Sequence, residues 1–315
     1  MPRDVYLQPD APDPVLDPGD ALALVRRHVP AARAVTGVDE SGGEARTYAV
    51  DAGAEALILK VQRPQQLRPR TSLEKEVFFL RQLEALAPDL SVPRVRGHGR
   101  DSALLEYTVL TRMPGVAMRR ATLTEPQRDA ALWEVGRTLR RIHGLPLAPF
   151  LASGLFPGDY AFPALQWRLG EQFADLAARR RQDDLPWPLA TPLEELGPRV
   201  LRALPRTQAR AALHSNPYRE HVFVDPEHGT FVGLIDFGDA YVSHPALDLR
   251  RWHRPAERAA LRAGYTAAGP VDDDFLAVWR AVALLANATE LVLYGDDAAR
   301  VAGVREDLEG LLAEL

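Results

Sequence analysis

The stretch His221-Val-Phe-Val-Asp-Pro-Glu-His-Gly-Thr-Phe-Val-Gly-Leu-Ile-Asp236-Phe-Gly-Asp239 decides how this chain is read. Two runs rich in β-branched and aromatic residues, 221–224 and 230–235, flank an Asp-Pro-Glu-His-Gly turn, the pattern of a hairpin. In an antiparallel pair the residues entering the first strand lie beside those leaving the second. The spacing therefore predicts that His214-Ser-Asn-Pro-Tyr-Arg-Glu-His221 meets Asp236-Phe-Gly-Asp239. His214, Asn216, His221, Asp236 and Asp239 then converge at one end of a buried hairpin, and convergence of polar groups from separate loops marks a candidate site.

Toward the amino terminus the signal is mostly of strands. The first 20 residues carry five prolines and several aspartates and read as an extended lead-in, with structure expected from near Ala21. Arg46–Val50 and Ala56–Val61 read as hairpin strands, with Gly42-Gly43 in the turn before them. Ser72 to Leu83 places Leu73, Val77, Leu80 and Leu83 on one helical face behind a Ser72 N-cap. Val92–Val95 and Tyr107–Thr111 read as further strands, and Arg112-Met-Pro-Gly115 breaks the second one as a hinge. Beyond it, helical periodicity covers 125–143, 164–181, 192–204, 256–267 and 273–293. The expected organisation is α+β: a lead-in over 1–20, a small β-rich lobe over 21–114 and a larger, mainly helical lobe over 115–315.

Composition narrows the chemistry. With no cysteine, thiol nucleophiles, disulfides and zinc-thiolate sites are excluded. A net charge of -5 argues against a general nucleic-acid binder, which needs a positive field to neutralise phosphates. No early stretch reads as a signal peptide and no segment reaches about 18 uninterrupted apolar residues, so the expectation is a cytoplasmic protein without a membrane partner. Of 38 basic residues only Lys60 and Lys75 are lysine. A compact ammonium and a broad guanidinium are not interchangeable against phosphate, so a strand lysine in so arginine-rich a chain points to a specific use.

A His-x-Asp-x4-Asn loop followed by a short hairpin and Ile-Asp-Phe-Gly-Asp characterises the aminoglycoside phosphotransferase family, relatives of the protein kinases. This chain resembles that family over most of its length. His214, Asn216 and His221 stand at the loop positions, and Ile235-Asp-Phe-Gly-Asp239 follows the hairpin. Other pieces fall in the family's order: the glycine turn, Lys60, the helix carrying Glu76, Thr111-Arg-Met-Pro-Gly115, Leu139-Arg-Arg-Ile-His143 and Pro245-Ala-Leu-Asp-Leu249.

The resemblance implies a protein-kinase-like two-lobed fold that binds ATP or GTP with magnesium and phosphorylates a hydroxyl of a small molecule such as an aminoglycoside or macrolide. In phosphoryl transfer the protein mostly positions groups and neutralises charge. Lys60 would hold the α- and β-phosphates, with Glu76 as its partner and Glu74 as second choice. Asp236 would chelate magnesium, a hard ion that takes one or two carboxylates plus phosphate oxygens. Gly42 and Gly43 would offer backbone N–H groups to phosphate, and Arg112 and Met113 would offer backbone to the purine. Asp239 is either a support for this site or a plain turn residue, and Asp248 corresponds to a buried anchor of the catalytic loop.

The pattern breaks at the loop. Where the family has the aspartate that handles the acceptor's proton, this chain has Asn216, and an amide is no base near neutral pH. Three explanations stand: an engineered substitution, a natural enzyme of low or shifted activity, or a nucleotide-binding pseudokinase. His221 replaces the metal-binding asparagine, acting through water or holding the loop, and Ser215 replaces a glycine. The acceptor is expected between the helices after Leu145 and those after Arg254. Asp183, Asp184, Glu194, Glu195 and Asp272 to Asp274 are candidate cation contacts there, and Trp167, Trp187, Trp252 and Trp279 candidate ring contacts.

Overall fold

The computed structural model describes residues 6–69, 71–252, 254–295 and 298–315. They divide into two compact units, one of Met1–Val116 with Val232–Ala240 and the other of Ala117–Phe231 with Tyr241–Leu315.

The first unit opens with helix α1 (Pro18–Arg26), slightly before the expected start at Ala21, because Asp17 accepts from Asp20 N at 2.8 Å and Pro18 occupies the first turn. Proline suits that position, where the missing N–H would have had no partner. A five-stranded antiparallel sheet follows, ordered β1 (Ala34–Asp39), β2 (Ala45–Asp51), β3 (Ala56–Gln62), β5 (Leu105–Thr111), β4 (Val95–Ser102). Strand alternation explains its two faces. Leu57, Leu59 and Val61 point one way, joining Tyr48, Val50, Tyr107 and Val109 in a core closed by Ala21, Leu24 and Val25 of α1. Ile58 and Lys60 point the other way, with Lys60 in register between Thr47 and Thr108.

Helix α2 (Leu73–Leu86) lies between β3 and β4 in the chain, capped by Ser72, whose hydroxyl accepts from Lys75 N at 3.3 Å. The strand expected at Val92–Val95 instead begins at Val95 and runs to Ser102. Pro93 cannot donate to a ladder, and Arg96-Gly-His-Gly-Arg100 lacks the apolar alternation that would have shown the strand. The lead-in is extended as expected, yet fastened: Asp13 takes two hydrogen bonds from Arg46, at 2.8 and 3.0 Å, and the Tyr48 hydroxyl bonds both N and O of Leu16.

Residues 232–240 return to this first unit. Leu234 N donates to Ser91 O at 3.1 Å, Ser72 N donates to Gly238 O at 3.3 Å, and the Phe237 ring packs 4.9 Å from that of Phe79. Gly233, at φ 154°, lets this segment pass: an added Cβ would lie 2.5 Å from Ser91 O and 2.2 Å from Met113 Cε.

The boundary between units falls within β6 (Val116–Ala117). The second unit is built from α3 (Glu125–His143), α4 (Ala148–Ala152), α5 (Phe162–Gln182), α6 (Leu193–Ala203), α7 (Pro255–Thr266), α8 (Asp273–Tyr294) and α9 (Ala298–Ala313), with short strands β7 (Ala211–Leu213), β8 (Val222–Val224) and β10 (Tyr241–Ser243); β9 (Phe231–Leu234) carries the chain from it back to the first unit. The loop between β8 and β9 closes as predicted, Asp225 N donating to Thr230 O at 2.8 Å. The antiparallel pair β7 and β10 escaped the sequence reading because three residues are too few to show a period. Helix α8 is long and apolar enough, by length and composition, to cross a membrane, although Arg280 and Glu290 interrupt its apolar run. Within this unit it is a core helix, packed against α5, α6 and α9.

Helices α3 and α7 cross through glycine. A Cβ on Gly136 would lie 2.1 Å from Leu261 O, and one on Gly264 would lie 1.8 Å from Trp133 O. The backbones touch, which fixes the helices bearing His143 and Tyr265. Gly264→Ala should therefore lower stability by about 3 kcal/mol, read as a drop in the urea unfolding midpoint; an unchanged midpoint would show that the helices part freely.

Candidate active site

In the first unit, β3 presents Lys60 on the face away from α1, and α2 presents Glu76 one turn after its cap. Lys60 Nζ donates to Glu76 Oε2 at 2.7 Å and to Asp236 Oδ1 at 2.9 Å. The side chains of Lys60 and Glu76 are 14% and 1% exposed, whereas Asp236 is 37% exposed. Burial alone would drive the proton off Lys60, but Asp236 and Glu76 outweigh it and raise its pKa above the ordinary lysine value. Glu74, the second choice, is exposed on the other side of the helix. Asp236 sits at φ 71°, a left-handed conformation that non-glycine residues hold only when their surroundings enforce it. Its neighbours supply that force, since Phe237 is fully buried and Gly238 is tied to Ser72.

The first unit also holds the other residues expected to meet the nucleotide. Gly42 and Gly43 form the β1–β2 connection, and Gly42 O accepts from Arg63 Nη1 at 3.0 Å. Arg112 N donates to Ala56 O at 2.8 Å, so the start of the Arg112–Gly115 break is still tied to β3, and Met113 abuts Gly233. Asp239 is more than a turn residue: its carboxylate accepts from Thr71 Oγ1 at 2.6 Å and pairs with Arg68.

In the second unit the loop after β7 is organised by Asp248, which is fully buried. Its Oδ2 accepts from His214 N at 2.8 Å and from His143 Nε2 at 2.9 Å, and its Oδ1 accepts from Ser215 N at 2.7 Å. Burial works to raise the Asp248 pKa, but His143 and these donors hold it below the usual carboxylate range. His143 Nδ1 reaches the Tyr265 hydroxyl at 3.0 Å. The loop itself is strained, with Ser215 at φ 80°, and Arg250 Nη2 bonds the Ser215 carbonyl at 3.4 Å. Asn216 N donates to His214 Nδ1 at 3.3 Å, and Asn216 O accepts from His221 Nδ1 at 2.8 Å. Because a carbonyl only accepts, the His221 Nδ1 carries the proton and a neutral ring keeps its lone pair on Nε2. His214, Asn216 and His221 thus belong to one hydrogen-bonded loop.

The sequence reading missed Tyr265 and Arg250 as supports of this loop. Arg250 follows Asp-Leu directly, a neighbour that a search around Asp248 would have met; Tyr265 lies on a helix with no local signal. Of the expected acceptor contacts, Asp272 caps α8, accepting from Phe275 N at 2.7 Å, and Glu194 pairs with Arg181 at 3.1 Å. Trp252 is a core residue whose Nε1 donates to Pro217 O at 2.9 Å, Trp279 stacks under Arg262, and Trp167 is 63% exposed.

A strand lysine paired with a helix glutamate, an Asp-Phe-Gly aspartate on a returning segment, and a histidine loop hung from a buried aspartate define a kinase-like fold of the phosphotransferase class. The chain belongs to the phosphotransferase enzyme family, whose model matches residues 36–285. Solved structures share the fold. A macrolide 2'-phosphotransferase from Brachybacterium faecium is 20% identical, with 92% of this chain and 97% of that chain covered and a TM-score of 0.57. A spectinomycin phosphotransferase, in complex with ADP and spectinomycin, is 14% identical over 94% of this chain and 93% of that chain, with a TM-score of 0.57. An APH(2'') enzyme, in complex with GDP and kanamycin, is 14% identical over 93% and 98%, with a TM-score of 0.53. No curated protein matches the chain.

Two outcomes test the loop. Ser215→Gly should relieve the left-handed strain and stabilise the protein by about 0.5–1 kcal/mol; a lower melting temperature would show that the serine side chain compensates. His244 caps the 245–249 turn that carries Asp248, accepting from Ala246 N at 3.3 Å, and burial, with Arg210 nearby, pushes its pKa down to about 4. The unfolded chain takes up that proton first, near pH 6.5, so folded stability should fall as pH drops from about 6.5 to about 4, by at most about 1.4 kcal/mol per unit. His244→Asn keeps a capping acceptor and should flatten this limb of the stability curve; an unaltered slope would assign it elsewhere.

Proposed function

We propose that this chain binds ATP or GTP with magnesium and transfers the γ-phosphate to a hydroxyl of a small molecule. The observation that carries the reading is the Lys60 ammonium held between Glu76 and Asp236 at 2.7 and 2.9 Å. The neighbours solved with ADP or GDP and with spectinomycin or kanamycin support it.

In this reading Lys60 neutralises the α- and β-phosphates and Glu76 fixes its rotamer. Backbone N–H groups at Gly42 and Gly43 approach phosphate, and backbone at Arg112 and Met113 meets the purine. The donors fit magnesium, since Asp236 offers a partly exposed hard oxygen and such an ion completes its shell with phosphate oxygens and water. Among the described residues no group of three histidine or carboxylate side chains forms a cage, which is compatible with an ion that arrives with the nucleotide. His221, with its lone pair on Nε2, is the second candidate ligand, directly or through water. When bound, the ion supplies charge neutralisation on the phosphates.

His214 and Asn216 form the loop that receives the acceptor hydroxyl. The Asn216 amide orients that hydroxyl without taking its proton, so transfer is slow. General base catalysis contributes about 10² to 10⁴ in rate, so Asn216→Asp should raise turnover by about that range. A second reading, favoured by Asn216 itself, is a pseudokinase that binds nucleotide without transfer. The test is nucleotide consumption with magnesium, ATP or GTP and a panel of aminoglycosides, macrolides and amino alcohols, for the protein and for Asn216→Asp. Binding without consumption by either would reject the enzyme and leave the pseudokinase.

A further inference from the structure

The connector between β3 and α2 carries a feature that the nucleotide reading does not use. Arg68 bridges two loops of the first unit: its Nε donates to Glu44 Oε1, directly after the glycine pair, and its Nη2 lies 3.5 Å from Asp239 Oδ2, three residues after Asp236. Nη1 makes no hydrogen bond among the described residues, and the side chain is 34% exposed. Thr71, on the same connector, also holds Asp239, and Ser72 holds Gly238. The connector therefore spans the glycine turn and the Asp236–Asp239 segment.

The charges make this bridge consequential. Among the ion pairs of the described residues, Glu76 and Asp236 share Lys60, and Glu44 and Asp239 share Arg68. Burial pushes the Glu44 carboxyl up, and Asp239 and Asp236 add to that, with Arg68 opposing them. A polyphosphate entering beside Lys60 brings further negative charge into an acidic cluster. The Arg68 guanidinium, whose planar fork suits phosphate oxygens and which has a donor to spare, is a cation placed to meet it.

We infer that Arg68 is a phosphate-binding residue of the nucleotide site, held in the ligand-free protein by Glu44 and Asp239 and transferred to the phosphate tail when a nucleoside triphosphate binds. The inference rests on the proposed nucleotide site and adds a residue to it. Exchange of partners also makes Glu44 a competitor of phosphate, so it tunes affinity for the tail and not for the base.

The test compares adenosine and magnesium-ATP binding by calorimetry for the full chain, Arg68→Gln and Glu44→Gln. Arg68→Gln should weaken magnesium-ATP about tenfold, the usual worth of a charge-assisted hydrogen bond, with adenosine affinity unchanged. Glu44→Gln should tighten magnesium-ATP severalfold, again without effect on adenosine. Magnesium-ATP affinity unchanged in Arg68→Gln would overturn the inference while leaving the nucleotide site standing. Should Arg68→Gln fail to fold, equal or weaker magnesium-ATP binding by Glu44→Gln would overturn it instead. Absence of magnesium-ATP binding by the unaltered protein would sink the nucleotide site and this inference together.

Discussion

A buried ammonium shared by two carboxylates is the interaction on which the first unit turns. Taking Lys60 out of water is costly unless its charge is met, and meeting it requires three pieces of chain to arrive together: strand β3, helix α2 and the segment 232–240. Asp236 is distant in sequence from both partners and reaches them only in a left-handed conformation. Phe237 packed on Phe79, and the backbone bonds at Ser91 and Gly238, supply the force that holds it there.

The second unit solves a similar problem with the signs reversed. Asp248 is a buried anion satisfied by two backbone N–H groups and one imidazole. That imidazole and Tyr265 sit where they do because α3 and α7 meet backbone to backbone at Gly136 and Gly264. In both units a single buried charge converts helix packing into the placement of a loop.

Much of this was legible in the residues. The strand at Ala56–Val61 and the helix behind Ser72 were readable from their patterns, and the family resemblance put Glu76 ahead of Glu74 as the partner of Lys60, the residue the structure pairs with it. The two stretches of the chemical constellation were visible because their residue types are unusual in the middle of apolar runs. What stayed hidden has a physical cause in each case. β4 is built on glycine, histidine and arginine, so its pairing with β5 left no hydrophobic period. β7 and β10 are too short to have one. Arg68 lies in a proline- and arginine-rich connector where one guanidinium resembles another, and only coordinates distinguish the one that spans Glu44 and Asp239.

The fastened lead-in has a consequence for how the first unit should be handled. Arg46 is only 4% exposed, and Asp13 and Glu40 are the counter-charges that make its burial tolerable. The amino-terminal segment is thus a belt whose buckle is an ion pair, with Tyr48 as a second fastening at Leu16. Trimming the chain at the first helix would leave the Arg46 guanidinium with Glu40, whose side chain is exposed, as its remaining carboxylate partner. The proline-rich opening belongs to the domain's electrostatic balance as much as any strand does.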